Sequence, residues 1–106
     1  MSIGAKTRKM LWGRSASRCS LPDCRRPLVE DETETDDPSI VGDEAHSVAR
    51  EPDGPRGESD LTPEERDYFS NLILLCKVHH RLVDDQPGTY TANVLHRMKE
   101  EHEYSA

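Results

Sequence analysis

Between Asn71 and Asp84 the chain reads Asn-Leu-Ile-Leu-Leu-Cys-Lys-Val-His-His-Arg-Leu-Val-Asp, and no other stretch is as dense in side chains capable of chemistry. Cys76, His79 and His80 stand at metal-ligand spacing behind an apolar run, and Asp84 supplies a further donor. Far upstream, Cys19 and Cys24 flank a short segment that contains Pro22 and Asp23. A Pro-Asp pair sets a turn, so both thiolates are expected on one side of a hairpin. Together Cys19, Cys24, Cys76 and His79 make a C-x4-C and C-x2-H set, the sulfur and nitrogen coordination of a closed structural Zn2+ site. Three cysteines leave one thiol over in any disulfide scheme, whereas three cysteines and one histidine complete a zinc tetrahedron. Taken alone, Cys76 reads as a small buried apolar residue; the second pair decides for the metal. Spacing assigns His79 rather than His80 to the zinc.

A staple of this kind answers a shortage elsewhere in the chain. Of 106 residues, 33% are hydrophobic and 33% charged, with a single Trp and a single Phe. A core that thin gives only marginal stability, and an ion joining the two pairs would close the 51 residues between Cys24 and Cys76 into one domain.

The elements that must carry these ligands follow from turn signals and apolar spacing. Lys6 to Ser15 is expected as a short basic helix, with Met10, Leu11 and Trp12 as its apolar patch. Glu30 to Pro38 is acidic without apolar content and is expected as an exposed loop, with a solubilising linker as its plainest role. Ser39-Ile40-Val41-Gly42 opens a strand, and alternation beyond it puts Glu44 and His46 on one face and Ala45 with Ser47 on the other. Arg50 to Asp60 is dense in turn residues and reads as a long loop. Thr62-Pro63-Glu64-Glu65 caps and starts a short helix expected to run to about Tyr68 or Phe69. Val78, Leu82 and Val83 have helical spacing, which predicts a helix over Lys77 to Asp85 that Gln86-Pro87-Gly88 ends. Thr91 caps a last helix with Val94, Leu95 and Met98 as its buried stripe; His96 and His102 of that helix read as surface residues.

The net charge of −7 hides an asymmetry along the chain. Residues 1–28 hold seven Lys/Arg and one acid, while residues 29–68 hold fifteen acids and three Arg. Phosphate contacts need cations, so Lys6, Arg8, Lys9, Arg14, Arg25 and Arg26 are the expected DNA-facing surface, with the acidic loop pointing away. No apolar run approaches the roughly 20 residues of a membrane span, and the first residues lack an apolar signal core. A cytoplasmic protein with reduced thiols and no membrane partner is expected.

With the zinc ligands set aside, His46, Asn71, His80 and Asp84 remain, and here the chain resembles the HNH (His-Asn-His) endonucleases of the ββα-metal, or His-Me finger, superfamily. The resemblance runs from Lys-Thr-Arg-Lys-Met-Leu-Trp-Gly-Arg through Glu-Ala-His, Asp-Gly-Pro-Arg-Gly and Asn-Leu-Ile-Leu-Leu-Cys-x-x-His-His to Tyr-Thr. It spans nearly the whole chain apart from the acidic loop. It implies His46 as general base, Asn71 as the residue that clamps the intervening loop, and His80 as a ligand to a divalent cation. Asp84, four residues after His80, lies on the same helix face and can share that ion. A His and a carboxylate with open water positions suit Mg2+ or Mn2+, with Zn2+ or Ni2+ left open. Many members carry a metal-binding Asp or His just before the base, where this chain has Ala45; Glu44 is then expected to orient the base or reach the metal by another path, with a solvated strand acid as the alternative. Arg56, in a Gly-Pro-Arg-Gly loop, is expected either to stabilise the phosphate or to be a plain surface arginine.

The expected fold is therefore α+β: one small ββα-metal (His-Me finger) domain over 1–106 with a structural zinc knuckle, an N-terminal basic helix and a C-terminal helix. Its parts are a basic helix in 1–17, a zinc hairpin in 18–29, the acidic loop 30–38, the ββα-metal core 39–86 and the last helix 90–104. The expected activity is metal-dependent hydrolysis of double-stranded DNA with weak sequence selectivity, aided by a protein partner or a homodimer. The alternative is a zinc-stapled DNA- or protein-interaction module without catalysis.

Overall fold

In a computed structural model that describes residues 3–105, the chain runs α1 (Ala5–Arg14), β1 (Val29–Glu30), β2 (Ser39–Ile40), β3 (Gly42–His46), α2 (Pro63–Arg66), a 3-10 turn (Phe69–Asn71), β4 (Leu72–Cys76), α3 (Lys77–Asp85) and α4 (Ala92–Ser105). Met1, Ser2 and Ala106, which belong to the expected 1–106 domain, lie outside the described residues. The result is a small mixed helix and strand fold built on short antiparallel pairs.

Every side chain of β4 is buried, the pattern of a strand covered on both faces. It pairs antiparallel with β3, setting His46 opposite Leu72 and Gly42 opposite Cys76. α1 packs on β4 and the 3-10 turn, α3 on both strands, and α4 on β4. Leu11, Leu28, Leu72 to Leu75, Val83 and Leu95 close the core between them.

The single strand expected from Ser39 onward is two. Ser39 and Ile40 pair with β1 across the acidic loop, Val41 donates its N–H to Leu28 O at 2.8 Å, and from Gly42 the chain turns to β4. Gly42 is required there, since a Cβ would lie 2.6 Å from Leu28 Cδ1. The apolar patch expected on α1 also divides: Leu11 is fully buried and Met10 is 46% exposed. α3 has the expected bounds, and Thr91 caps α4 by accepting the Val94 N–H at 3.2 Å.

Along α4 the buried stripe continues from Leu95 through Lys99 to His102, so the expectation of a surface His102 is corrected. Its Nε2 lies 2.8 Å from Ser15 O and its Nδ1 meets Arg25, which ties the end of α4 to the segment after α1. Lys99 pairs with Glu103 and lies 3.6 Å from the centroid of the Phe69 ring. His96 is half-buried rather than exposed, and its Nε2 is enclosed without a hydrogen-bond partner.

The loop between β3 and β4 is ordered by polar side chains. Thr62 caps α2 as expected, in a capping box with Glu65, but α2 stops at Arg66; Asp67 and Tyr68 form a turn and a bend, and the 3-10 turn follows from Phe69. Arg66, 4% exposed, donates to Ala49 O, Gly57 O, Leu61 O and Ser59 O at 2.8 to 3.2 Å. An apolar core residue has no such reach, so one guanidinium gathers four points of the loop. Replacing it, as in Arg66→Leu, leaves buried carbonyls without donors and is expected to destabilise the protein by about 2–4 kcal/mol, read as a lower urea midpoint.

Candidate functional site

Two turns and a helix start bring the four sulfur and nitrogen ligands together. Cys19 N–H donates to Arg26 O at 2.9 Å and Cys24 N–H to Leu21 O at 3.0 Å, folding the Pro-Asp segment back on itself, while Ser20 N–H donates to Leu74 O at 2.9 Å and fixes the turn to β4. Cys76 ends β4 and caps α3, its Sγ accepting the His79 N–H at 3.4 Å. One donor atom from each of Cys19, Cys24, Cys76 and His79 lies within 4.8 Å of the others. His79 Nδ1 is 3.3 Å from Cys76 Sγ and 3.8 Å from Cys19 Sγ. Metal–sulfur bonds of about 2.3 Å give tetrahedral edges of about 3.5 to 3.8 Å, so this group can bind a metal ion such as zinc. His79, not His80, completes it.

Burial pushes the Cys19 thiol up to about 12, and the neighbouring Cys76 and Cys24 sulfurs add to the rise against the pull of the Cys76 and Leu21 backbone hydrogen bonds. Ionising such a thiol needs a cation beside it.

His80 has a carboxylate at each ring nitrogen: Asp43 Oδ2 lies 3.0 Å from Nδ1 and Asp84 Oδ2 lies 3.3 Å from Nε2. The expected His80 and Asp84 pairing on one helix face is therefore present. Asp43 was not among the expected site residues, although alternation puts it on the same strand face as Ala45, the face that meets α3. Its carboxyl is raised by burial but pulled lower overall by hydrogen bonds and charge from Lys77 and His80.

His46 stands apart from this cluster. Its Nε2 lies 2.8 Å from Asp67 Oδ1, and Asp67 Oδ2 accepts from Arg50 Nη2 at 3.0 Å. Asp67, just past α2, is a second carboxylate that sequence reasoning missed. Burial raises its carboxyl, yet the hydrogen bonds and charges of His46 and Arg50 bring it below the ordinary carboxylate range. Asn71 holds the loop after β3 by both backbone groups: Oδ1 accepts the Val48 N–H at 2.9 Å, and Nδ2 donates to Val48 O and Arg66 O, each at 2.8 Å.

Several expectations are corrected. Glu44 neither orients His46 nor reaches the α3 cluster; it accepts from Arg8 Nε at 2.9 Å and Trp12 Nε1 at 2.8 Å, pinning α1 to β3. Arg56 is not a surface arginine, and its guanidinium is held by protein groups. Its side chain is 5% exposed, and it donates to Ser47 O, Val83 O, Tyr90 O, His46 O and Asp84 Oδ1. The next residue, Gly57, is enclosed by the Pro52 and Glu51 carbonyls, which leave no room for a Cβ. Of the expected DNA-facing cations, Lys6, Lys9 and Arg14 are exposed on α1, whereas Arg8 pairs with Glu44, Arg26 with Glu30, and Arg25 contacts His102. No hydrogen bond or ion pair among the described residues joins His46 to His80 or Asp84; they flank β3 on opposite faces, with the Arg56 guanidinium spanning the strand end between them.

No protein-family model matches the chain, and no curated protein matches it. Among the described residues no helix is long and apolar enough to cross a membrane.

Asp43 and Asp67 give the fold a defined pH dependence. Carboxyls held below their unfolded value of about 4 stabilise the protein above that pH, and the stabilisation is lost as pH falls through the folded-state values. Urea unfolding between about pH 6 and pH 3 is expected to show stability falling toward acid, with a shallower fall in Asp67→Asn.

Proposed function

We propose that this chain is a zinc-stapled, metal-dependent endonuclease that hydrolyses DNA phosphodiester bonds, with the α+β core acting as a ββα-metal (His-Me finger) domain. The observation that supports this best is the arrangement around β3 and β4: a carboxylate-bound His46 ends β3, Asn71 grips the loop that follows, and His80 with Asp84 lies on the helix after β4. In this reading His46 takes a proton from the attacking water, since an imidazole works near neutral pH. Asn71 fixes the loop that carries the strand end. Lys6, Lys9 and Arg14 on α1 bind phosphates without reading bases, so selectivity is weak. A divalent cation such as Mg2+, Mn2+ or Ni2+ held by His80 and Asp84 would supply charge stabilisation at the phosphate and the leaving oxygen. Cys19, Cys24, Cys76 and His79 hold a structural Zn2+, which keeps the knuckle, β4 and α3 in register.

A second reading, a zinc-stapled module that binds DNA or protein without catalysis, draws support from two features. Ala45 is buried where many HNH enzymes carry a further ligand, and Arg56 already occupies one oxygen of Asp84. Plasmid incubated with the zinc-loaded protein and Mg2+, Mn2+ or Ni2+ separates the readings. Nicks or breaks that disappear in His46→Ala are expected for the nuclease; DNA or protein binding that survives His46→Ala and His80→Ala, with no cutting by wild type, is expected for the module.

The zinc staple is tested separately. Elemental analysis is expected to find one zinc per chain in purified protein, and Cys76→Ser or a strong chelator is expected to unfold it, because the energy of binding a structural zinc is folding energy. Retention of fold and cooperative unfolding after complete zinc removal would count against it.

A further inference from the structure

The nuclease reading names a base but leaves its working nitrogen open. A neutral imidazole carries one N–H, and a base needs the other nitrogen bare. The Nε2 side of His46 is occupied: Asp67 Oδ1 sits at 2.8 Å, and this carboxylate is itself held by Arg50 at its second oxygen. An acceptor-only group at hydrogen-bond distance requires the proton on Nε2. No protein group among the described residues is hydrogen-bonded to Nδ1.

The loop is built to deliver that carboxylate. Asp67 sits at the C-cap of α2, its backbone N–H bonded to Glu64 O. The capping box of Thr62 and Glu65 fixes the start of α2, the Arg66 guanidinium binds the loop carbonyls around it, and Asn71 Nδ2 holds Arg66 O. The bond between His46 and Asp67 thus joins residues 21 apart in the chain, and the contacts of Thr62, Glu65, Arg66 and Asn71 fix the element that carries its acceptor.

We propose that Asp67, a residue outside the His-Asn-His pattern, is a positioning residue that holds His46 as its Nε2–H tautomer and presents Nδ1 to the water. This rests on the nuclease reading for its consequence, but the tautomer does not. Nitrogen-15 NMR of the His46 ring in zinc-loaded wild-type protein, at a pH where the ring is neutral, is expected to show the proton on Nε2; a ring protonated on Nδ1 overturns the proposal whether or not the protein cuts DNA. In Asp67→Ala, with zinc content and unfolding midpoint as checks of the fold, the ring is expected to become a mixture of the two tautomers; an unchanged Nε2–H population overturns it. In the cutting assay the same variant is expected to lose about 100-fold in rate, in the range that a general base contributes, while its affinity for DNA measured without divalent cation stays within about twofold. A parallel loss of DNA affinity would instead mean that Asp67 only supports the fold. If wild type fails to cut, the nuclease reading falls and the NMR result still decides the role of Asp67.

Discussion

The constraint on which the rest of this structure depends is the crowding of three cysteine sulfurs and one imidazole nitrogen within 4.8 Å in a largely buried place. Burial makes the Cys19 thiol resist ionisation there, and several thiolates side by side without a cation would repel one another. A bound ion removes both penalties together. Cys76 makes the consequence global, because it ends the central strand opposite Gly42 and also caps α3. Whatever fixes its sulfur fixes the strand, the helix and the knuckle around Cys19 in one step. The knuckle in turn reaches α4 through the contact of Arg25 with His102, so elements from both ends of the chain converge on the same group.

A protein with so thin an apolar core has to order its long loop by other means. Between Ser47 and Asn71 the means are two arginines and an asparagine, each aimed at backbone carbonyls. A guanidinium offers five donors in a plane, so one side chain satisfies carbonyls that several water molecules would otherwise serve. Arg56 draws the loop onto α3 and the turn before α4, through Val83 O and Tyr90 O. Arg66 closes the loop on itself. The two tasks are separate, and each takes one guanidinium.

The parts of the fold written in local pattern were legible from sequence. The helix over Lys77–Asp85 follows from the spacing of Val78, Leu82 and Val83, and the metal-capable group follows from two spaced pairs, because ligand geometry limits which spacings work. Asp43 and Asp67 were not legible for a physical reason. Both lie in a segment with fifteen acids, and what distinguishes them is a histidine brought from 37 or 21 residues away by folding. His102 misled for the converse reason: without metal spacing to the site it reads as a surface residue, yet it lies three residues after Lys99 on the buried stripe and finds Ser15 O there. An exposed loop cation is one of two readings of Arg56 from sequence because its partners, the carbonyls of His46, Ser47, Val83 and Tyr90, leave no trace in composition.

The position of Arg56 bears on how the proposed chemistry is possible at all. His46 faces Asp67 on one side of β3, and His80 faces Asp43 and Asp84 on the other, so a phosphate touching both would have to lie across the strand end, where the pairing with β4 stops at Leu72. Arg56 occupies that end, with its guanidinium on His46 O and Asp84 Oδ1 at once. A cation taken up by Asp84 competes with that guanidinium for the carboxylate. Giving up that contact would leave Arg56 on Ser47 O and Val83 O, both at 2.7 Å, but would part a guanidinium that is only 5% exposed from its carboxylate, which is costly. A cation at Asp84 would therefore have to offset the loss of that pair, while the carbonyls of Ser47 and Val83 go on holding the loop.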